Sequence, residues 1–320
     1  MPQAGGDFML VFDISNNFKK MDENFQIGKS HYWIILKADE LNKIRNMLIL
    51  DEESLQECVN LDQFPKLSFF SGYMFIVFNI LEYKQSELIS KELNIFLSKD
   101  YIITVYKEEL SIVYDLIKDI KDGRDTFILK DRPNASIVLY YILDRIILRN
   151  YTVISSLEAH ADKIEIDILR NPRHEHLDDL IHLRRQVYKI KKYFNPLRYI
   201  GDSLISNENF IIEEENIKYF KSLSDKLGKL MQSLESLIQD LALVREAFES
   251  EISNKTNELM KVFTLIAAIF LPLNLLTSMY GMNFINIPLV NLKYGYYIMC
   301  GIMIAISAAL FYLFKKKKWL

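Results

Sequence analysis

A quarter of the residues in this chain are charged, yet between Lys261 and Lys315 the only charged side chain is Lys293. That lysine divides the stretch into two uncharged runs, Val262–Leu292 and Tyr294–Phe314. The second holds about 21 residues, roughly 31 Å of helix at about 1.5 Å per residue, which matches a hydrocarbon core about 30 Å thick. The first contains a span of similar length followed by a short polar turn. Two closely linked transmembrane helices are the economical reading, so any soluble structure must come before them.

The basic residues near the spans set an orientation. Lys255 and Lys261 precede the first span, Lys315–Lys318 follow the second, and the connecting loop has Lys293 alone, so both termini are expected on the cytoplasmic side. No basic start leads into an apolar run at the N-terminus, so no cleavable signal peptide is expected, and Met1–Gly6 reads as a disordered lead. The two cysteines, Cys58 and Cys300, are too far apart to suggest a bridge or a metal cluster. A net charge of −3 says little about partners, and no basic surface of the kind that binds nucleic acid stands out.

The first 110 or so residues mix two periodicities. Phe8–Ile14, His31–Lys37, Tyr73–Tyr83 and Leu93–Tyr106 are rich in aromatic and branched residues, and the last reads as a hairpin turning at Ser98-Lys99-Asp100. Between them Ala38–Leu48 and Asp51–Asn60 read as short helices with acidic starts. Helical spacing then runs from Asn134 to Arg170, breaks at Asn171-Pro172, and resumes from about His174 to Leu204 with Pro196 inside. In a third helix Leu223, Leu227, Leu230, Leu234, Leu237, Leu241, Val244 and Phe248 alternate at four and three residues. Packing on the two preceding helices covers most of that seam. Self-association becomes necessary nearer the membrane. The helix is expected to start near Asn209 and run into the first span to about Gly281.

On a helix, Asn257, Met260, Thr264, Ala267, Leu271, Asn274, Ser278 and Gly281 form one stripe, polar or small at several levels. Such a stripe is either a close helix–helix contact or, in a ring of copies, the lining of a pore.

Four segments carry a family resemblance. Tyr280–Phe284 (YGMNF) ends the penultimate span, Ser253–Val262 (SNKTNELMKV) leads into it, Ile269–Pro272 (IFLP) lies within it, and KKKKWL closes the chain. Together they resemble the CorA family of magnesium channels; Phe64–Phe78 and Asn195–Leu204 extend the likeness more faintly. The resemblance implies an α+β membrane protein with an N-terminal cytoplasmic α/β funnel domain, a long helical stalk and two C-terminal transmembrane helices, assembled as a homopentamer in the cell membrane. It divides the chain into a funnel domain (1–130), a helical hairpin (131–208), a stalk (209–261), a pore-lining span (262–283), an external loop (284–293), a second span (294–314) and a basic tail (315–320).

By the same resemblance Gly281, Met282 and Asn283 would form the selectivity filter, with Asn283 repeated around the axis as a ring of amide carbonyls. Such a ring would accept hydrogen bonds from the waters of Mg2+, an ion that sheds them reluctantly. Gly281 would let the backbone turn, and Met282 and Tyr280 would pack behind the amide. Asn257 would form a cytoplasmic amide ring, Met260 and Phe263 a hydrophobic constriction, and Leu271 a higher one. The sequence departs from the family at Phe263, where Leu is common, at Asn274, where Thr is usual, and at Ser278, where Gly is usual. Asn274 would add an amide ring midway. The loop Ile285–Gly295 lacks acidic residues and carries Lys293, so capture of cations at the mouth is expected to be weaker.

The family's feedback by cytoplasmic Mg2+, bound between acidic residues of adjacent subunits, maps onto Glu57. Its usual stalk partner position holds Ser222, with Asp225 one turn further along as a substitute. The expected cargo is Mg2+, with Co2+ or Ni2+ as secondary ions, and neither an organic cofactor nor an enzymatic role is expected. The alternatives are a zinc transporter of the same superfamily and a membrane-anchored coiled-coil sensor or scaffold. His174 and His176 lack the spacing of a helical zinc site, and Asp144 and Arg145 read as ion-pair or solvated residues.

Overall fold

The computed structural model describes residues 9–21, 25–45, 47–48, 50–59, 63–283, 287–289 and 292–317. Met1–Gly6 and Phe8 at the N-terminus, Asn60, Phe284, Ile285, Asn286, Val290 and Asn291 between the two apolar helices, and Lys318–Leu320 lie outside them. The chain divides into two compact units, one of residues 1–167 with 173–245, the other of residues 168–172 with 246–320.

The first unit is built on a mixed sheet in the order β2-β1-β3-β7-β6-β5-β4. Its strands are β1 Leu10–Asp13, β2 Lys19–Met21, β3 Tyr32–Lys37, β4 Lys66–Phe70, β5 Tyr73–Lys84, β6 Glu87–Leu97 and β7 Tyr101–Tyr106. Strands β3 and β7 pair in parallel, with Ile34 opposite Ile103, and the other neighbours are antiparallel. The β6–β7 hairpin turns at Ser98-Lys99-Asp100, as expected. The longer β5–β6 hairpin turns through Gln85 (φ 51°) and Ser86 (φ 65°), and two central residues at positive φ give the twist that a two-residue hairpin favours.

β3 and β7 are buried almost throughout, and so is most of β5, which explains why they read as near-continuous apolar runs rather than alternating ones. One core gathers Ile34, Tyr73, Phe75, Val77, Phe96 and Ile103 of the sheet with Leu41 and Ile44 of α1 (Leu41–Arg45) and Leu55 and Cys58 of α2 (Glu52–Val59). The helix expected over Ala38–Leu48 is shorter than that. A 3-10 turn over Ala38–Glu40 opens it, with the Glu40 carboxylate accepting from the Lys37 N–H at 3.3 Å, and α1 closes at Arg45.

Helices α3 (Ser111–Asp122) and α4 (Phe127–Asp131) lead to α5 (Ala135–Arg170) and α6 (His174–Ser206). The reversal falls at Asn171-Pro172, and α6 runs through Pro196. The third long helix, α7, spans Ile217–Tyr280 and not Asn209 onward. Asn207 (φ 48°) takes the left-handed conformation that ends α6, and its side-chain amide bonds both the N–H and the carbonyl of Ile212. That closes a loop which only a 3-10 turn at Glu214–Asn216 leads out of. The 64 residues of α7 give roughly 96 Å of helical path at about 1.5 Å per residue.

The heptad seam from Leu223 to Val244 is buried within the single chain. Tyr140 of α5 lies 5.5 Å from Tyr219, the Tyr151 hydroxyl donates to the Lys226 carbonyl at 3.2 Å, and Lys226 pairs with Asp144. Gly201 of α6 approaches so closely that a methyl group there would meet Ser224 at 3.1 Å. Packing on the two preceding helices therefore covers these positions. Arg145 likewise pairs with Asp119 at 2.8 Å.

In the second unit, α8 (Gly295–Lys316) follows α7. The apolar parts of α7 and α8 are long and apolar enough to cross a membrane.

Candidate functional site

Within the second unit α7 presents two unlike faces. Leu265, Ala268, Ile269, Pro272, Leu273, Leu276 and Tyr280 are half-buried. Ile269 and Leu273 line a cavity with Met303 and Ser307 of α8, and Thr277, Tyr280 and Gly281 line another with Leu289, Tyr296, Met299 and Cys300. This is the face that α8 covers.

Asn257, Met260, Thr264, Ala267, Leu271, Asn274, Ser278 and Gly281 are all exposed, as is Phe263 at the edge of their stripe. At about 100° per residue the stripe's mean direction lies roughly 160° from that of the covered face. The polar stripe thus points away from the one helix of this unit that packs on the span. Thr264 satisfies its hydroxyl by donating to the Met260 carbonyl at 2.7 Å. The side chains of Asn257, Asn274 and Asn283 make no hydrogen bond among the described residues, and for Asn274, midway along the uncharged run, that is costly unless water or another chain supplies the partner. Pro272 removes one helical N–H at the same level.

At the C-terminal end of α7 the Gly281 N–H donates to the carbonyls of Thr277 (3.0 Å) and Ser278 (3.2 Å), closing the helix, and Asn283 follows in irregular backbone. One expectation is corrected here. Gly281 does not adopt a positive φ, and a Cβ on it would make only ordinary contacts at 3.4 and 3.5 Å, so the turn itself does not require glycine. Met282 is 50% exposed, and Tyr280 is half-buried toward α8.

One residue that matters here has no motif to announce it. Gly295 opens α8 directly under the loop, and a Cβ there would lie 1.9 Å from the carbonyl oxygen of Leu289, itself at φ 71°. Backbone crowding of this kind leaves no trace in the sequence beyond a glycine at a helix start. Lys293 is exposed just before it.

At the other end, Asn257 lies in an open groove with Glu251, Asn254 and Glu258. In the first unit, Glu57 on α2 gives one carboxylate oxygen to Lys66 Nζ at 2.6 Å, and the other oxygen is buried with no hydrogen-bond partner among the described residues. Asp225 is exposed on α7. Among the described residues no group of three or more His, Cys, Asp or Glu is placed to hold a metal ion. The Lys66 partner of Glu57 could not have been anticipated from spacing. His174 is exposed at the start of α6.

Residues 28–316 match the family model described as CorA-like Mg2+ transporter protein. The cobalt/magnesium transport protein CorA of Thermotoga maritima is 29% identical over 302 residues, covering 92% of this chain and 85% of that protein. The zinc transport protein ZntB of Pectobacterium carotovorum is 20% identical over 229 residues, covering 71% of this chain and 67% of that protein. The complete structure of the CorA magnesium transporter from Methanocaldococcus jannaschii superposes with a TM-score of 0.84 at 21% identity, covering 99% of this chain and 100% of that one, which carries the fold.

Proposed function

The chain belongs to the CorA-like Mg2+ transporter family, a family of divalent-cation transporters, and from that premise we propose that it is a homopentameric channel for Mg2+ influx. The observation that carries the proposal is the amide-bearing stripe of α7, exposed on the face opposite α8 and unpartnered in one chain. Five copies around an axis would turn that face inward and give every amide water, ion or a neighbouring amide.

In this reading Asn283 forms the filter. Its carbonyls accept hydrogen bonds from the waters of a hydrated Mg2+, and a neutral ring binds weakly enough to release the ion again. Asn274 and Asn257 repeat the amide lower down, and Met260, Phe263 and Leu271 supply apolar rings that close by dewetting. Thr264, Ala267 and Ser278 keep the lining narrow or polar between them. With both termini cytoplasmic, a divalent ion gains about 4.6 kcal/mol per 100 mV of inside-negative potential, so influx is downhill without nucleotide. The brake we assign is cytoplasmic Mg2+ acting between subunits at Glu57 and Asp225, in competition with Lys66.

The likeness to zinc transport proteins keeps zinc as the second cargo to compare. The proposal is tested by replacing Asn283 with Ala in protein reconstituted into liposomes. Loss of Mg2+ selectivity or flux supports the filter, and unchanged transport removes it. The mass of the detergent-purified assembly checks the copy number, and a monomer or dimer would sink the pore.

A further inference from the structure

The turn between α5 and α6 reads Leu169-Arg170-Asn171-Pro172, and the sequence continues with Arg173. Ile168–Pro172 belongs to the same compact unit as Glu246–Leu320, and one contact fixes its level on the long helix: Lys255 Nζ donates to Asn171 Oδ1 at 3.0 Å. Lys255 precedes Val262, where the uncharged run begins, by about seven residues, or roughly 10 Å of helical rise. The headgroup layer flanking the hydrocarbon core is about 5–8 Å deep on each side. The turn therefore lies a few ångströms outside that layer, within reach of an extended Arg or Lys side chain.

Flanking the two uncharged runs on this side, the unit carries positive and partly apolar side chains. Leu169 is 56% exposed. Arg170, Lys261, Lys315, Lys316 and Lys317 are exposed, and none forms an ion pair among the described residues. The neighbouring stretch of α7 opposes them with Glu251 and Glu258. A second copy of the same surface would repel this one, and so would the basic tail. An anionic phospholipid headgroup fits, because its phosphate accepts charge-assisted hydrogen bonds from guanidinium and ammonium groups while an apolar side chain settles into the interface.

We propose that the α5–α6 turn and the basic end of α8 form a docking surface for anionic phospholipid headgroups on the Lys261 side of the bilayer. The surface would tie the tip of the helical hairpin to the membrane beside the entrance to the amide stripe. This inference rests on the reading of α7 and α8 as membrane spans and not on which ion is carried.

The test titrates a short-chain phosphatidylglycerol and the matching phosphatidylcholine into the full-length protein in neutral detergent, with bound lipid counted by native mass spectrometry. Phosphatidylglycerol is expected to bind at least about fivefold tighter. Arg170→Gln, an exposed change that leaves the fold alone, should cost about fivefold of that affinity, the usual effect of one basic residue at an anionic surface. Phosphatidylcholine binding should not move. Equal affinity for the two lipids, an unaffected Arg170→Gln variant, or displacement of phosphatidylglycerol by inorganic phosphate would each overturn the proposal. Flux measured on the same preparations separates the two claims. Transport without lipid preference removes only the docking surface, and lipid preference without transport removes only the channel.

Discussion

The α-carbon of Gly295 lies so close beneath the Leu289 carbonyl that a β-carbon would fall 1.9 Å from the oxygen. That oxygen belongs to the backbone, so no side-chain rotation relieves the clash, and the short connection between Asn283 and α8 would have to move. Gly295→Ala is expected to leave the first unit's thermal unfolding unchanged while reducing Mg2+ flux by an order of magnitude or more. Flux equal to wild type would show that the loop does not hold the filter in place.

Asn274 is exposed on the face of α7 opposite α8 and its amide has no partner among the described residues. If it meets hydrated ions, Asn274→Leu replaces hydrogen bonds to water with an apolar ring. Losing about 1–1.5 kcal/mol of such bonding slows transit roughly tenfold. Asn274→Thr keeps a polar ring and should stay within a few-fold of wild type. Initial rates of Mg2+ entry for the two variants decide this, and equal rates in both would return Asn274 to a packing role.

Much of this architecture is legible in the sequence because its signals are long. The charge-free runs, the Leu223–Phe248 seam and the Asn171-Pro172 break each extend over, or stand between, many turns of one periodicity. Spacing puts the start of α7 too early, because Asn207 ends α6 through a left-handed conformation and a side-chain loop closure, neither of which has a period. The site divides in the same way. The direction of the amide stripe follows from spacing alone. The Glu57–Lys66 pair joins α2 to a strand, and the Gly295–Leu289 approach depends on backbone crowding, so both are products of tertiary structure.

Lys66 holds one oxygen of Glu57 at 2.6 Å, with the two side chains 34% and 23% exposed. A regulatory cation at Glu57 must displace that ammonium. A partly solvated pair of this kind is worth at most about 1 kcal/mol, so Lys66→Gln should lower the Mg2+ concentration for half-inhibition by no more than about fivefold. Glu57→Gln should raise it. Measuring inhibition against internal Mg2+ for both variants tests the assignment, and two unshifted curves would remove Glu57 from regulation.

Cys58 is buried, and desolvation, reinforced by the nearby Glu92 carboxylate, raises its thiol well above the ordinary value of 9.0. The folded thiol therefore stays protonated where the unfolded one ionises. Its contribution to stability is full below about pH 9 and falls as pH rises beyond that, because the unfolded chain then releases a proton that the folded chain keeps. A Cys58→Ala variant is expected to lose less stability than wild type between pH 9 and pH 10.5 in denaturant titrations. In native protein at pH 8, a thiol reagent should leave Cys58 unmodified, and rapid labelling there would contradict its burial.

The most direct measurement is divalent-cation entry into liposomes holding the purified protein under an inside-negative potential, comparing Mg2+, Co2+, Ni2+ and Zn2+ with and without Mg2+ on the inner side. The expected result is Mg2+ entry that slows as inner Mg2+ rises. Entry of zinc alone would contradict the assigned cargo, and no flux of any ion through intact, inserted protein would contradict the channel itself.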